Sequence, residues 1–230
     1  MTHSQPTNGS SVIVISGLVK QFGRFAALRG ISAEFSPGNL YVILGDNGAG
    51  KTTLLRTFAG LARPTRGKVI LLGTHDLSSV SAQIGYMAHP SLLYDELSGM
   101  ENLRYFGRLY GIEGDQRCAD AIRKVHLDPS LARPVGQYSQ GMRQRMSLAR
   151  ALLHDPGILL LDEPFSNVDA CSASEMVNLL GTIRDAGKTL FVVTHQAALL
   201  DGVADEFVLM GAGKIVSRPL ERPLLEGAPR

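Results

Sequence analysis

Apolar residues along the chain fall into two rhythms. Short continuous runs, at 40–44, 158–161 and 189–193, mark strands buried on both faces. Residues 172–186 between the last two read as a helix, and this alternation of strand, helix and strand indicates a parallel sheet. β-rich stretches near 12–19, 31–36, 39–45 and 67–73 predict an antiparallel β flap beside it, with a helix over 51–61. From about 92 to 153 the period becomes helical, with helices expected at 101–110, 118–125 and 141–153. The expected fold class is α/β: a mostly parallel core sheet with an antiparallel β flap and a helical subdomain at about 92–153. The domain is expected to span 12–217, between a flexible N-terminus at 1–11 and a proline-bearing C-terminal tail at 218–230.

Composition narrows the classes. A chain of 230 residues, 44% hydrophobic and 19% charged, suits one domain with a substantial core. A formal net charge of +2 without a long Lys/Arg run gives no strong electrostatic case for nucleic acid, and anionic lipid stays open without support. Cys118 and Cys171 match neither a metal-site spacing nor a disulfide framework, which suits a reducing compartment. No apolar stretch approaches the roughly 20 residues needed to span a bilayer, and the polar opening is no signal peptide. Membrane work by this chain would require docking on another polypeptide.

The strand at 40–44 opens into Gly45-Asp46-Asn47-Gly48-Ala49-Gly50-Lys51-Thr52-Thr53. Glycines there let backbone N–H groups turn inward on a polyphosphate, and the following helix adds its positive end. Lys51 supplies a mobile point charge, and the Thr52 hydroxyl is the expected Mg2+ ligand, since a hard cation prefers oxygen. The plain alternative is a tight strand-to-helix turn with ordinary first-turn residues; the residues downstream decide. The run at 158–161 delivers Asp162 and Glu163 at a strand end, where alternation points them in different directions. Asp162 is positioned to hold magnesium, directly or through water. Glu163 is positioned to orient or deprotonate the water attacking the terminal phosphate of a bound nucleotide. The glycine loop, Asp162-Glu163 and Thr194-His195 all fall at the carboxyl ends of sheet strands, where such sheets bind ligands.

The string Tyr138-Ser139-Gln140-Gly141-Met142 resembles the signature motif of ATP-binding-cassette (ABC) ATPases, usually Leu-Ser-Gly-Gly-Gln. Ser139 and Gly141 are retained, and Tyr138, Gln140 and Met142 depart from it. The glycine loop, this string, Asp162-Glu163, Ser166-Asn167-Val168-Asp169 and Thr194-His195 follow the family's order, and the resemblance covers about 12–217. It implies a P-loop NTPase of the ABC ATPase type that works as a pair of cassettes around two Mg-ATP molecules. Ser139, Gln140, Gly141 and Met142 would then grip the γ-phosphate bound by the opposite protomer, although a serine N-cap alone accounts for Ser139 equally well. Asp169 would link the two sites, and His195 would contact the γ-phosphate. Phe22 sits where the family places an aromatic that stacks on adenine; a strand-end core aromatic is the alternative.

The implied partners are separate transmembrane permease subunits and a second cassette, in a homodimer or heterodimer. The implied location is peripheral, on the cytoplasmic face of the cell membrane. Residues 93–97 and 101–111 are similar to haem-exporter ATP-binding subunits of cytochrome c biogenesis, and related drug or lipid exporters share much of that helix. Exporter-type fits better than importer-type, since no long regulatory domain follows Ser217. The competing reading is a soluble ABC ATPase acting on ribosomes or DNA. One P-loop and no long coiled-coil insertion weigh against it.

His89, within Ile84-Gly85-Tyr86-Met87-Ala88-His89-Pro90, stands where the family usually presents Gln. An imidazole nitrogen is a poorer magnesium ligand than an amide oxygen, while hydrogen bonding to the attacking water stays open. The expected outcome is ATP turnover that is measurable but slower than in His89→Gln. Steady-state rates that coincide across the pH range would remove His89 from the mechanism.

Overall fold

A computed structural model describes residues 11–218. The expected flexible ends lie, apart from Ser11 and Arg218, outside the described residues. β1 (Ile13–Phe22), β2 (Phe25–Phe35) and β4 (Arg66–Leu71) form a three-stranded antiparallel sheet in the order β2-β1-β4. The six-stranded sheet has the order β5-β6-β7-β3-β8-β9. It combines β3 (Leu40–Leu44), β5 (Ile84–Met87), β6 (Ile158–Asp162), β7 (Thr189–Val193), β8 (Glu206–Gly211) and β9 (Lys214–Ser217). Every pairing in it is parallel except β8 with β9. The helices are α1 (Lys51–Phe58), α2 (Gly99–Leu109), α3 (Gln116–Lys124), α4 (Gln140–Leu152) and α5 (Ala170–Asp185).

Burial explains the continuous apolar runs. Leu40, Val42, Leu159, Leu161, Leu190 and Val192 enter a core shared with α2 to α5, through residues such as Leu103, Ile122, Leu148 and Leu180. Their alternating neighbours Tyr41, Ile43, Ile158, Leu160, Phe191 and Val193 enter a second core, built with the flap and with Leu54, Leu55 and Phe58 of α1. Both faces of the sheet are therefore covered, and a strand with no solvated face has no polar position to reveal its period.

Helix boundaries follow their caps. α2 starts two residues before the expected 101 because Ser98 and Glu101 form a reciprocal capping box. α1 stops at Phe58 rather than Leu61: the Ala59 N–H bonds back to Leu55, Gly60 takes φ 73°, and Leu61 is left exposed. β2 begins at Phe25, well before the expected 31, because Gly23-Arg24 closes a hairpin that brings Phe22 into register with Phe25.

Phe35 ties the flap to the sheet and to α1. Its ring meets those of Tyr41, Phe191 and Phe58 edge-on, with centroids 4.9, 5.0 and 5.9 Å away. Replacing Phe35 by Ala is expected to cost about 3–5 kcal/mol in denaturant unfolding, from lost burial and the cavity left behind. A loss below about 1 kcal/mol would contradict this role for the cluster.

Candidate functional site

β3 is buried throughout, and its chain leaves the sheet at Gly45 with φ 140°. A Cβ at Gly45 would sit 2.1 Å from the Met210 carbonyl oxygen of β8, so only glycine fits beneath the loop. The loop enters α1 through Gly50, which caps the helix in a left-handed conformation without a side-chain cap bond. The first N–H groups of α1 thus face the cleft without a side-chain partner, the arrangement that receives an anion. Lys51 folds back over the loop, its ammonium donating to the carbonyls of Gly45 at 2.5 Å and Asp46 at 3.1 Å. Burial pushes its pKa down, while Glu163, Asp162 and Asp46 push it up.

A cleft of about 700 Å³ opens over this loop. Asn47 through Thr53 line one side, with Asp162, Glu163, His195 and His89 on the others. Thr52 Oγ1 donates to Asp162 Oδ1 at 3.1 Å, so a hydroxyl and a carboxylate from different elements meet in its floor. Burial raises the Asp162 carboxyl above its ordinary range, opposed by the Thr52 hydrogen bond and by His89, Arg56 and Lys51. Hydroxyl and carboxylate oxygens suit Mg2+, which needs one or two protein ligands and completes its shell with phosphate and water. That fit does not need a dense ligand cluster, and none of three or more His, Cys, Asp or Glu exists among the described residues.

Glu163 sits one residue further on, at φ 54°, its N–H held by the Val193 carbonyl at 2.8 Å. A left-handed glutamate is strained by about 1–3 kcal/mol. Glu163 Oε2 accepts from the His195 N–H at 3.3 Å. Oε1 faces His195 Nε2, also at 3.3 Å, but is buried without a hydrogen bond of good geometry. Burial raises the Glu163 carboxyl, and His195 and Lys51 act against it.

The other expected site residues lie elsewhere on the chain. Phe22 is exposed and does not line the cleft; the Lys20 ammonium lies 4.9 Å from its ring centroid. Its register partner Phe25, also exposed, forms the cleft wall instead. Ser139 caps α4, accepting from the Met142 N–H at 3.3 Å, and Asp169 caps α5, accepting from the Ser172 N–H at 2.9 Å. The two helix starts touch: a Cβ at Gly141 would lie 3.1 Å from Ser172 Oγ. Ser139, Gln140, Gly141, Met142 and Asp169 contribute nothing to the cleft within one chain.

The cleft also holds Arg56 and Gln196, which no sequence motif singled out, and Tyr86, Ser166 and Asn167, which stood inside quoted motifs without a role of their own. Arg56 lies four residues after Thr52 in α1, and helical spacing from Thr52 was the available signal. Gln196 is held by its amide to the Phe165 carbonyl at 3.3 Å, a contact across the fold with no local signature.

The raised carboxyl of Glu163 has a consequence for stability. Its folded pKa lies above the unfolded one, so the ionised group destabilises the fold in full above the folded value, and the cost vanishes below the unfolded value of about 4.3. In the nucleotide-free protein, Glu163→Gln is expected to raise Tm near neutral pH, with the gain shrinking as pH falls toward that value. Thermal melts in which the variant is equal to or less stable than wild type at pH 8 would contradict the shift.

Comparison with known proteins follows the same outline. Residues 28–166 match the ABC transporter family. The chain is 33% identical over 207 residues to the ABC transporter ATP-binding protein NatA of Bacillus subtilis (strain 168), covering 87% of this chain and 84% of NatA. It is 32% identical to the bacitracin transport ATP-binding protein BcrA of Enterococcus faecalis, covering 89% of this chain and 68% of BcrA. The dimeric ATP-binding cassette MJ0796, in a post-hydrolysis state bound to ADP and Pi, superposes with a TM-score of 0.81. It has 24% identity, over 90% of this chain and 97% of that one. A family match across more than half of the chain, joined to the likeness to NatA over most of both proteins, shows that this chain belongs to the ABC transporter family as an ATP-binding protein.

Proposed function

We propose that this chain hydrolyses ATP as one half of a cassette pair and passes the resulting motion to separate transmembrane permease subunits. The observation that carries the reading is the meeting of Thr52 with Asp162 at 3.1 Å beneath a glycine cradle, with Glu163 in the same cleft. In this mechanism the loop N–H groups and Lys51 bind the β- and γ-phosphates, Lys51 exchanging the carbonyls of Gly45 and Asp46 for phosphate oxygens. Thr52 and Asp162 would hold Mg2+, whose charge offsets that of the phosphates when bound. Glu163 takes a proton from, or orients, the attacking water, and its raised pKa suits it to accept that proton. His195, 3.3 Å from Glu163, holds the γ-phosphate side, and His89 offers a second hydrogen bond to the water. Phe25 is better placed than Phe22 to stack on adenine.

Ser139 and Gly141, at the start of α4, would close the cleft of the opposite protomer as a second anion site, with Asp169 alongside. Their absence from this chain's own cleft supports that division. An exposed aromatic pair follows the His89 segment: Tyr94 and Tyr105 meet at 5.0 Å, backed by the half-buried Phe106. Such a patch supports docking of a permease next to the phosphate cleft, and hence a peripheral place on the cytoplasmic face of the membrane. Among the described residues no helix is long and apolar enough to cross a membrane, consistent with a separate permease. Export is the proposed direction, with haem as a candidate cargo resting on residues 93–111 alone. The bacitracin in BcrA's name weighs against a haem-specific reading.

Glu163→Gln tests the reading. With Mg-ATP the variant is expected to elute as a stable dimer with ATP bound, its turnover reduced by roughly 10²–10⁴-fold. A variant that hydrolyses ATP at the wild-type rate and stays monomeric would falsify the proposed role.

A further inference from the structure

The flap carries a charge pattern that the linear sequence hides. Its strands, with residues 23–24 and 63–65, hold Lys20, Arg24, Arg29, Arg63, Arg66 and Lys68 against a single carboxylate, Glu34; Asp76 follows five residues after β4. None of the six is in an ion pair among the described residues, although arginines and lysines elsewhere pair repeatedly, as in Arg104 with Asp115 and Lys188 with Asp155. The chain as a whole is nearly neutral, so this local excess is a property of the fold.

Register puts three of these cations on one plane. Arg29 and Arg66 both stand opposite Val19, one on each side of β1, and Lys68 stands opposite Ser16 on the same exposed face. Two strand spacings separate Arg29 from Arg66 by about 10 Å, and two residues separate Arg66 from Lys68 by about 7 Å. The opposite face of the flap is the buried one, carrying Ile13, Leu28, Phe35 and Val69 into the core. Glu34 lies at the far end, opposite Val14, where it accepts from the Ser11 hydroxyl. At the near end the exposed Phe22 and Leu61 adjoin Lys20, Arg24 and Arg63, and Lys20 donates to the Arg63 carbonyl at 2.9 Å.

We propose that this outer flap face rests on the anionic headgroups of the bilayer, with Arg29, Arg66 and Lys68 as the contact and Lys20, Arg24 and Arg63 at its rim. A flat array of unpaired cations with isolated apolar side chains at its edge is what a headgroup surface accepts. Nucleic acid fits less well. The face has no groove, and the Phe22 ring, which would stack on a base, is covered by the Lys20 ammonium. The contact goes beyond the nucleotide reading, and it needs neither ATP nor a permease.

The test is co-sedimentation of the full chain with vesicles of phosphatidylcholine, with and without phosphatidylglycerol. Retention is expected only on the anionic vesicles and should fade as salt is raised. Arg29→Glu, Arg66→Glu and Lys68→Glu combined should weaken it about a hundredfold or more, while ATP binding in vesicle-free solution is unchanged. The corresponding triple Gln variant, with no reversed charge to disturb folding, should weaken it in the same direction. Equal retention on neutral vesicles, or full retention of both triple variants, overturns the proposal. So does a triple variant that loses binding to a single-stranded RNA oligonucleotide while keeping the vesicles. Vesicle binding that persists in a chain shown not to bind ATP would strike at the nucleotide reading alone.

Discussion

One steric constraint underlies the site: the chain must turn out of β3 against the backbone of β8, where there is no space for a side chain. Any Cβ at Gly45 would overlap the Met210 carbonyl oxygen. Because β3 lies between β7 and β8 in the sheet, this turn also sets where α1 starts relative to the ends of β6 and β7. Thr52 on α1 and Asp162 on β6 come within hydrogen-bond reach through that arrangement alone, 110 residues apart in sequence. The buried sheet supplies rigidity, and the exposed loop supplies the binding groups.

The electrostatics follow from the same burial. Two carboxylates and one ammonium are crowded into a half-buried cleft, and each is displaced toward its neutral form by loss of water. Such a cleft is poorly satisfied on its own and well suited to a ligand that brings both negative charge and a cation. The left-handed backbone at Glu163 fits this picture, since strain of this kind persists where surrounding structure over-determines it.

Much of the fold was legible in the sequence because both sheet faces are covered, which leaves the unbroken apolar runs at 158–161 and 189–193. The strands that escaped were β5 and β9, each only four residues long, and β8, whose apolar run is confined to 207–210. In the cleft, the glycine loop and Asp162-Glu163 announce themselves by local spacing. Phe25 does not, because a two-residue hairpin decides which of two nearby phenylalanines faces the cleft. The cationic flap face was invisible for a related reason: its charges are spread over residues 20–68 and are gathered only by strand register.

The central claim is that this cleft is built for the polyphosphate of a nucleotide. Calorimetric titration of the wild-type chain with Mg-ATP, and separately with AMP, tests it most directly. The account predicts that ATP binds at least about a hundredfold more tightly than AMP, because the loop N–H groups and Lys51 engage the β- and γ-phosphates. Equal affinity for the two nucleotides, or an ATP affinity unchanged in Lys51→Ala, would contradict it.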